Sequence, residues 1–225
     1  MFRAVVFDID GTLVDSNDAH AHAWVKAIAE TGRSVEFSRV RPLIGMGGDK
    51  LLPKVSGVSI ESPEGKAIAR RRREIFAAEF LPHLQPTRGA RRLLEWLHDD
   101  RMKLVIATSA EEEEVQDLLR AAGADKMFES AASSDDAERS KPDPDIVAAA
   151  MKRANCPAAQ TIMVGDTPYD VEAARRAGIE TIALRCGGWP DADLRGAVAI
   201  YDDPADLVDR YDLSPFKRFA ATRSV

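Results

Sequence analysis

The sequence predicts an α/β protein, a doubly wound parallel sheet interrupted after its first strand by an all-helical insertion. Three observations carry this reading. Short apolar runs of buried-strand length recur along the chain and are followed by amphipathic helical stretches, the order that builds parallel strands joined by crossover helices. Between the first and second of these runs lies a stretch with helical periodicity and breakers but no alternating strand pattern. Several runs end in carboxylates or hydroxyls, where a parallel sheet presents ligand sites.

With 225 residues, 45% of them hydrophobic, the chain can bury a substantial core as one large domain or two smaller ones. Residues 1–15 and 83–225 read as the α/β core, and 16–82 as the helical unit. No apolar stretch approaches the roughly 20 residues needed to span a bilayer, and the start lacks a basic segment followed by an apolar leader. The expectation is a cytoplasmic protein with no membrane partner. Cys156 and Cys186 form no metal-like or redox pair and read as reduced structural thiols. A formal net charge of -6 argues against an extended nucleic-acid surface, though local positive charge can still hold a small anionic substrate. No obligate protein partner is expected.

The first strand is Ala4-Val5-Val6-Phe7, and it runs into Asp8-Ile9-Asp10-Gly11-Thr12. Side chains alternate along extended backbone, so Asp8 and Asp10 share one side while Ile9 turns into the core. Two acids at the end of an apolar strand are costly unless a proton or cation pairs them. A divalent metal is the simplest remedy; a solvated Asp-Gly turn is the plain alternative.

The insertion begins with a helix over Ala19 to Thr31, which Asn17 or Asp18 would cap. His20 and His22, two apart, point in different directions and do not form a metal-binding pair. Gly45 to Lys50 reads as a flexible loop entering another helix, able to bring backbone amides and Lys50 to a substrate, or as a simple connector. Arg70 to Arg73 spans a whole turn and reads as a solvated face. Pro82 and Pro86 mark the return to the core.

An amphipathic helix over Arg91 to His98 buries Leu93, Leu94 and Leu97. The strand Lys103 to Ala107 then ends in Thr108-Ser109, and Glu111 to Glu114 suit the positive end of the next helix. Met127 to Ala132 is a weaker strand. Ser140-Lys141-Pro142-Asp143 opens a helix through Ile146 and Met151. Thr161 to Val164 leads into Gly165-Asp166-Thr167-Pro168-Tyr169-Asp170 and a helix over Val171 to Ala177, which sets Asp166 at an exposed strand end. Ile182 to Leu184 and Ala197 to Tyr201 are further strands, Gly187 to Pro190 is a connecting loop, and the basic tail after Pro215 is expected to be peripheral.

Four of these strings, Phe7 to Ser16, the Thr108-Ser109 strand end, Ser140 to Asp145 and Gly165 to Asp170, occur in the order of the signatures of the haloacid dehalogenase superfamily. The chain resembles its helical-cap phosphatase and β-phosphoglucomutase branch, which implies a Rossmann-like core and a mobile cap. The resemblance implies magnesium-dependent hydrolysis of a small phosphorylated metabolite. Asp8 would be the nucleophile forming a phospho-aspartate, and Asp10 the acid and base. Thr108, Ser109 and Lys141 would bind the phosphoryl group. Asp8, the Asp10 main-chain carbonyl and Asp166 would hold Mg2+, with Asp170 binding it through water or positioning Lys141. His20 and Trp24 resemble positions near the β-phosphoglucomutase hinge, so His20, with Lys50, is a candidate substrate contact. A sugar phosphomutase using the same phospho-aspartate is the nearest alternative, although Gly165-Asp166 looks phosphatase-like. A non-catalytic binding protein is a further one.

Overall fold

The computed structural model describes residues 2–217. Six parallel strands form one sheet in the order β3-β2-β1-β4-β5-β6: β1 (Ala4–Phe7), β2 (Lys103–Ala107), β3 (Ser130–Ala132), β4 (Thr161–Gly165), β5 (Glu180–Leu184) and β6 (Ala199–Tyr201). Strand β1 lies at the centre. It pairs with β2 from Ala4 against Lys103 and with β4 from Ala4 against Thr161. The chain builds outward on one side through β2 and β3, then jumps to the other through β4, leaving a crevice at the carboxyl ends of β1 and β4.

Both faces of the sheet are covered, as the continuous apolar runs require. Val5, Phe7, Leu104, Ile106, Ile162 and Val164 pack on one side with Leu93, Leu94 and Leu97 of α5 (Ala90–Asp99) and Val115, Leu118 and Leu119 of α6 (Glu112–Ala121). Ala4, Val6, Val105 and Met163 face α7 (Asp145–Ala154) and α8 (Pro168–Ala177). Helix α9 (Pro204–Asp209) packs on α5.

Between β1 and β2 the chain forms α1 (Asn17–Ala29), α2 (Phe37–Val40), α3 (Gly48–Ser56) and α4 (Pro63–Ile75), which continues through a π-helical turn over Phe76–Phe80. Ala-rich α1 packs closely against α4, burying Ala21, Trp24, Ile28, Ile68 and Ile75. The chain leaves and returns on two adjacent extended segments. Asp15 N donates to Gln85 O at 3.0 Å, Thr87 N donates to Leu13 O at 3.0 Å, and Val14 bridges Pro86. No helix among the described residues is long and apolar enough to cross a membrane.

Several local expectations are corrected. Helix α1 starts at Asn17 behind Ser16, and no side chain caps it, because the Asn17 amide turns instead to Asp166. Strand β3 is only Ser130–Ala132; Phe128, assigned to it from sequence, sits before it with its ring edge-on to Phe7. Helix α8 begins at Pro168, three residues earlier than expected, because Thr167 and Asp170 form a capping box. Of the tail after Pro215, expected to be peripheral, Phe216 is buried, and residues 218–225 lie outside the described residues.

Candidate active site

The crevice between β1 and β4 gathers the acids. Asp8 N still pairs with Val164 O at 3.0 Å, so the chain stays extended past β1, sinks Ile9 into the core and brings out Asp8 and Asp10. Gly11 then turns at φ +75. Only glycine fits there, since a Cβ would meet Asn17 Nδ2 at 2.1 Å and Asp166 Oδ2 at 2.2 Å.

Asp166 is fully buried, which corrects the exposed strand end expected for it. Thr12 Oγ1 donates to its Oδ1 at 2.9 Å and Asn17 Nδ2 to its Oδ2 at 2.8 Å. Gly187, taken from sequence as a connector, closes the other side, with room for no side chain against Asp166. Burial and the neighbouring Asp170 push the Asp166 carboxyl up to about 7 against those two hydrogen bonds.

Lys141 reaches the cluster from the β3–α7 loop. Its buried Nζ donates to Asp8 Oδ1 at 2.6 Å and to Asp170 Oδ1 at 2.8 Å. Burial works against its charge, yet the carboxylates of Asp170 and Asp8 hold its pKa above the ordinary lysine value. Asp170 is fixed in turn by Thr167, whose N and Oγ1 donate to its Oδ2 at 3.0 and 2.7 Å. Burial pushes the Asp8 carboxyl well above the usual range; Lys141 opposes, and Asp170, Asp166 and Asp10 add to it.

Asp8, Asp166 and Asp170 present oxygens that all lie within 4.8 Å of one another. Asp8 Oδ2 is buried with no hydrogen-bond partner. Three buried carboxylates facing one ammonium hold excess negative charge, and a hard divalent cation fits both this donor set and the orphaned oxygen. Asp10 is not part of that set. Its Oδ1 meets His20 Nε2 at 2.8 Å and accepts from Ser16 Oγ at 2.5 Å. Burial alone would raise the Asp10 carboxyl, but His20 and Ser16 outweigh it and hold it below its usual value.

Above Asp8 and Asp10 lies a small cavity bounded by His20, Trp24, Arg72, Thr108, Ser109, Glu114 and the Ile44–Met46 loop. Thr108 is fully buried and its Oγ1 accepts from Ala110 N at 3.1 Å; Ser109 Oγ donates to Gly45 O at 3.3 Å. Lys50 does not line this cavity. Near the start of α3 its side chain turns away, and Nζ donates to Ser140 O and, at 2.6 Å, to Asp143 Oδ2, so it ties α3 to the Lys141 loop and the substrate contact expected of it is corrected. His20 is at the site, but against Asp10.

Two residues were missed. Arg72 belongs to the run read as a solvated face, yet it is 7% exposed and pairs with Glu114 at 2.6 Å. From sequence Glu114 reads only as a partner for the helix dipole. Nothing in four consecutive arginines singles out the one that faces inward.

Residues 5–184 match the haloacid dehalogenase-like hydrolase family. A phosphoglycolate phosphatase of Pseudomonas syringae pv. syringae is 32% identical over 208 residues, 89% of this chain and 76% of the relative. The structure of a hydrolase from Pseudomonas syringae, 30% identical, superposes with a TM-score of 0.87 over 93% of this chain and 98% of that one. A β-phosphoglucomutase from Clostridium difficile shares the fold at 19% identity, with a TM-score of 0.83 over 95% of this chain and 96% of its own. The chain belongs to the haloacid dehalogenase-like hydrolases and is an enzyme of the phosphatase class.

Proposed function

We propose that the enzyme hydrolyses a small phosphate monoester, with magnesium as cofactor, through a phosphoryl group carried on Asp8. The observation that carries this reading is the state of Asp8, a buried carboxylate with one oxygen held by Lys141 and the other unpartnered, bordering the cavity. An Asp8 oxygen attacks phosphorus as the bond from phosphorus to the leaving oxygen breaks, and Asp10 gives that oxygen a proton. Asp10 then takes a proton from the attacking water; the Asp8–phosphorus bond breaks, and orthophosphate leaves with Asp8 restored. Lys141 offsets charge on the transferring group, which Thr108 and Ser109 help to hold. Magnesium, held by Asp8, the Asp10 main-chain carbonyl and Asp166, with Asp170 positioning Lys141, would neutralise charge on the phosphoryl oxygens.

Residues 16–82 act on this reading as a cap hinged where Val14 lies beside Pro86, with 1–15 and 83–225 as the catalytic core. A reaction on phosphorylated metabolites fits a cytoplasmic enzyme. Hydrolysis is favoured over phosphomutation because a mutase holds a second phosphate, whereas Arg72, the arginine lining the cavity, is already paired with Glu114.

The test is orthophosphate release from a panel of phosphate monoesters with magnesium and with EDTA, for wild type and Asp8→Asn. The expected result is metal-dependent release by wild type and loss of at least about a thousandfold in the variant. Release at a similar rate by Asp8→Asn would refute the assignment.

A further inference from the structure

The cavity wall facing Asp8 contains a buried ion pair that the phosphoryl chemistry does not use. Arg72 on α4 and Glu114 on α6 meet across the boundary between the insertion and the α/β core, with side chains 9% and 10% exposed. The Arg72 guanidinium lies 5.3 Å from the Trp24 ring centroid, and all three residues line the cavity with Asp8, Asp10 and Thr108. One donor and one acceptor of the pair are left over: Arg72 Nε and Glu114 Oε2 are buried and make no hydrogen bond. Unmade bonds in such a place are unfavourable until water or a ligand completes them.

Glu114 also cancels the charge Arg72 would otherwise offer. A leaving group bearing a carboxylate would bring its own charge against Glu114, whereas a hydroxyl both donates and accepts and matches the two unused atoms. Beyond the pair, a second cavity shares Trp24, Gly48, Arg72 and Ser109 with the first and continues past Asp49, Asp135 and Glu138. Among the described residues Asp49 accepts from Ser140 Oγ at 2.5 Å and Asp135 from Glu112 N at 2.9 Å, neutral donors that leave their charge in place. The passage therefore disfavours an anionic leaving group a second time.

We propose that Arg72 and Glu114 together select an uncharged, hydroxyl-bearing leaving group, so that the substrate is the phosphate monoester of a polyol or sugar rather than of a hydroxy acid. This rests on the phosphatase reading and narrows it.

The test compares kcat/KM for glycerol 3-phosphate, 2-phosphoglycolate and p-nitrophenyl phosphate in magnesium, for wild type and Glu114→Gln. Wild type should prefer glycerol 3-phosphate to 2-phosphoglycolate by about tenfold or more, and Glu114→Gln, which frees the Arg72 charge while keeping the side chain's shape, should shift that ratio towards 2-phosphoglycolate by about tenfold. A wild-type preference for 2-phosphoglycolate overturns the inference even if the variant does not fold. So does an unchanged ratio in a folded variant. Hydrolysis of p-nitrophenyl phosphate separates these results from failure of the phosphatase reading, in which no ester is hydrolysed and the inference falls with it.

Discussion

His20 Nε2 lies 2.8 Å from Asp10 Oδ1, and the imidazole is stacked on Phe76 with ring centroids 4.0 Å apart and planes within 7°. Asp10, held below the usual carboxylate range, releases a proton readily but has to be supplied with one. The stacked imidazole is placed to share it. On the proposed mechanism, a histidine on the first helix of the insertion thus acts on the acid carried by the sheet.

His20→Gln should keep a hydrogen bond to Asp10 but lose the imidazole. We expect about a 10- to 100-fold loss of kcat/KM on an alkyl phosphate and a much smaller loss on p-nitrophenyl phosphate, whose leaving group departs without protonation. Steady-state kinetics on both esters checks this; equal losses would place His20 in binding or folding instead.

On the proposed mechanism Asp10→Asn removes the acid and base while the main-chain carbonyl remains. Turnover of an alkyl phosphate should fall by about 10² to 10⁴. Quenched-flow measurement of both half-reactions should show each of them slowed, and an unaffected dephosphorylation step would contradict the double role.

On the proposed metal assignment, Asp166 links metal to stability. Its carboxyl is raised to about 7 in the folded chain, so between the unfolded value near 4 and 7 the folded state binds more protons than the unfolded state. That contribution to stability is present at low pH and is lost as pH rises towards 7. In EDTA, thermal unfolding should therefore show wild type losing stability from pH 4 to 7 relative to Asp166→Asn. Magnesium should raise the melting temperature of wild type at neutral pH and do so weakly in the variant. Equal magnesium stabilisation of both proteins would remove Asp166 from the ligand set.

Lys50→Ala should act through the loop that carries Lys141, since Lys50 holds Ser140 O and Asp143. The expected outcome is a similar fall in kcat for charged and uncharged leaving groups, with KM little changed. A rise in KM confined to an anionic substrate would return Lys50 to the cavity.

The β1 apolar run and the acids after it made the sheet centre and the position of Asp8 at its carboxyl end readable, because alternation along a strand is a local rule. The strings around Lys141 and Asp166 are contiguous and mark where these residues gather, but not that Asp166 would be fully buried. Arg72 and Glu114 meet 42 residues apart, on helices from different parts of the fold, and only packing decides which arginine of four turns inward. Asn17 looked like a cap because Asn commonly is one; the demand of Asp166 for a donor prevailed over it. Lys50 was misplaced for a related reason, since glycines beside a lysine signal a loop that could reach a ligand, while Asp143 offered that ammonium a nearer partner.

The central claim, a phosphoryl group carried on Asp8, is tested most directly by trapping. Enzyme mixed with excess substrate and magnesium, quenched within one turnover and treated with borohydride, should show residue 8 converted to homoserine by peptide mass spectrometry, because borohydride reduces an acyl phosphate and leaves a free carboxylate intact. Reduction at another carboxylate, or none at residue 8 while orthophosphate is being released, would contradict the account.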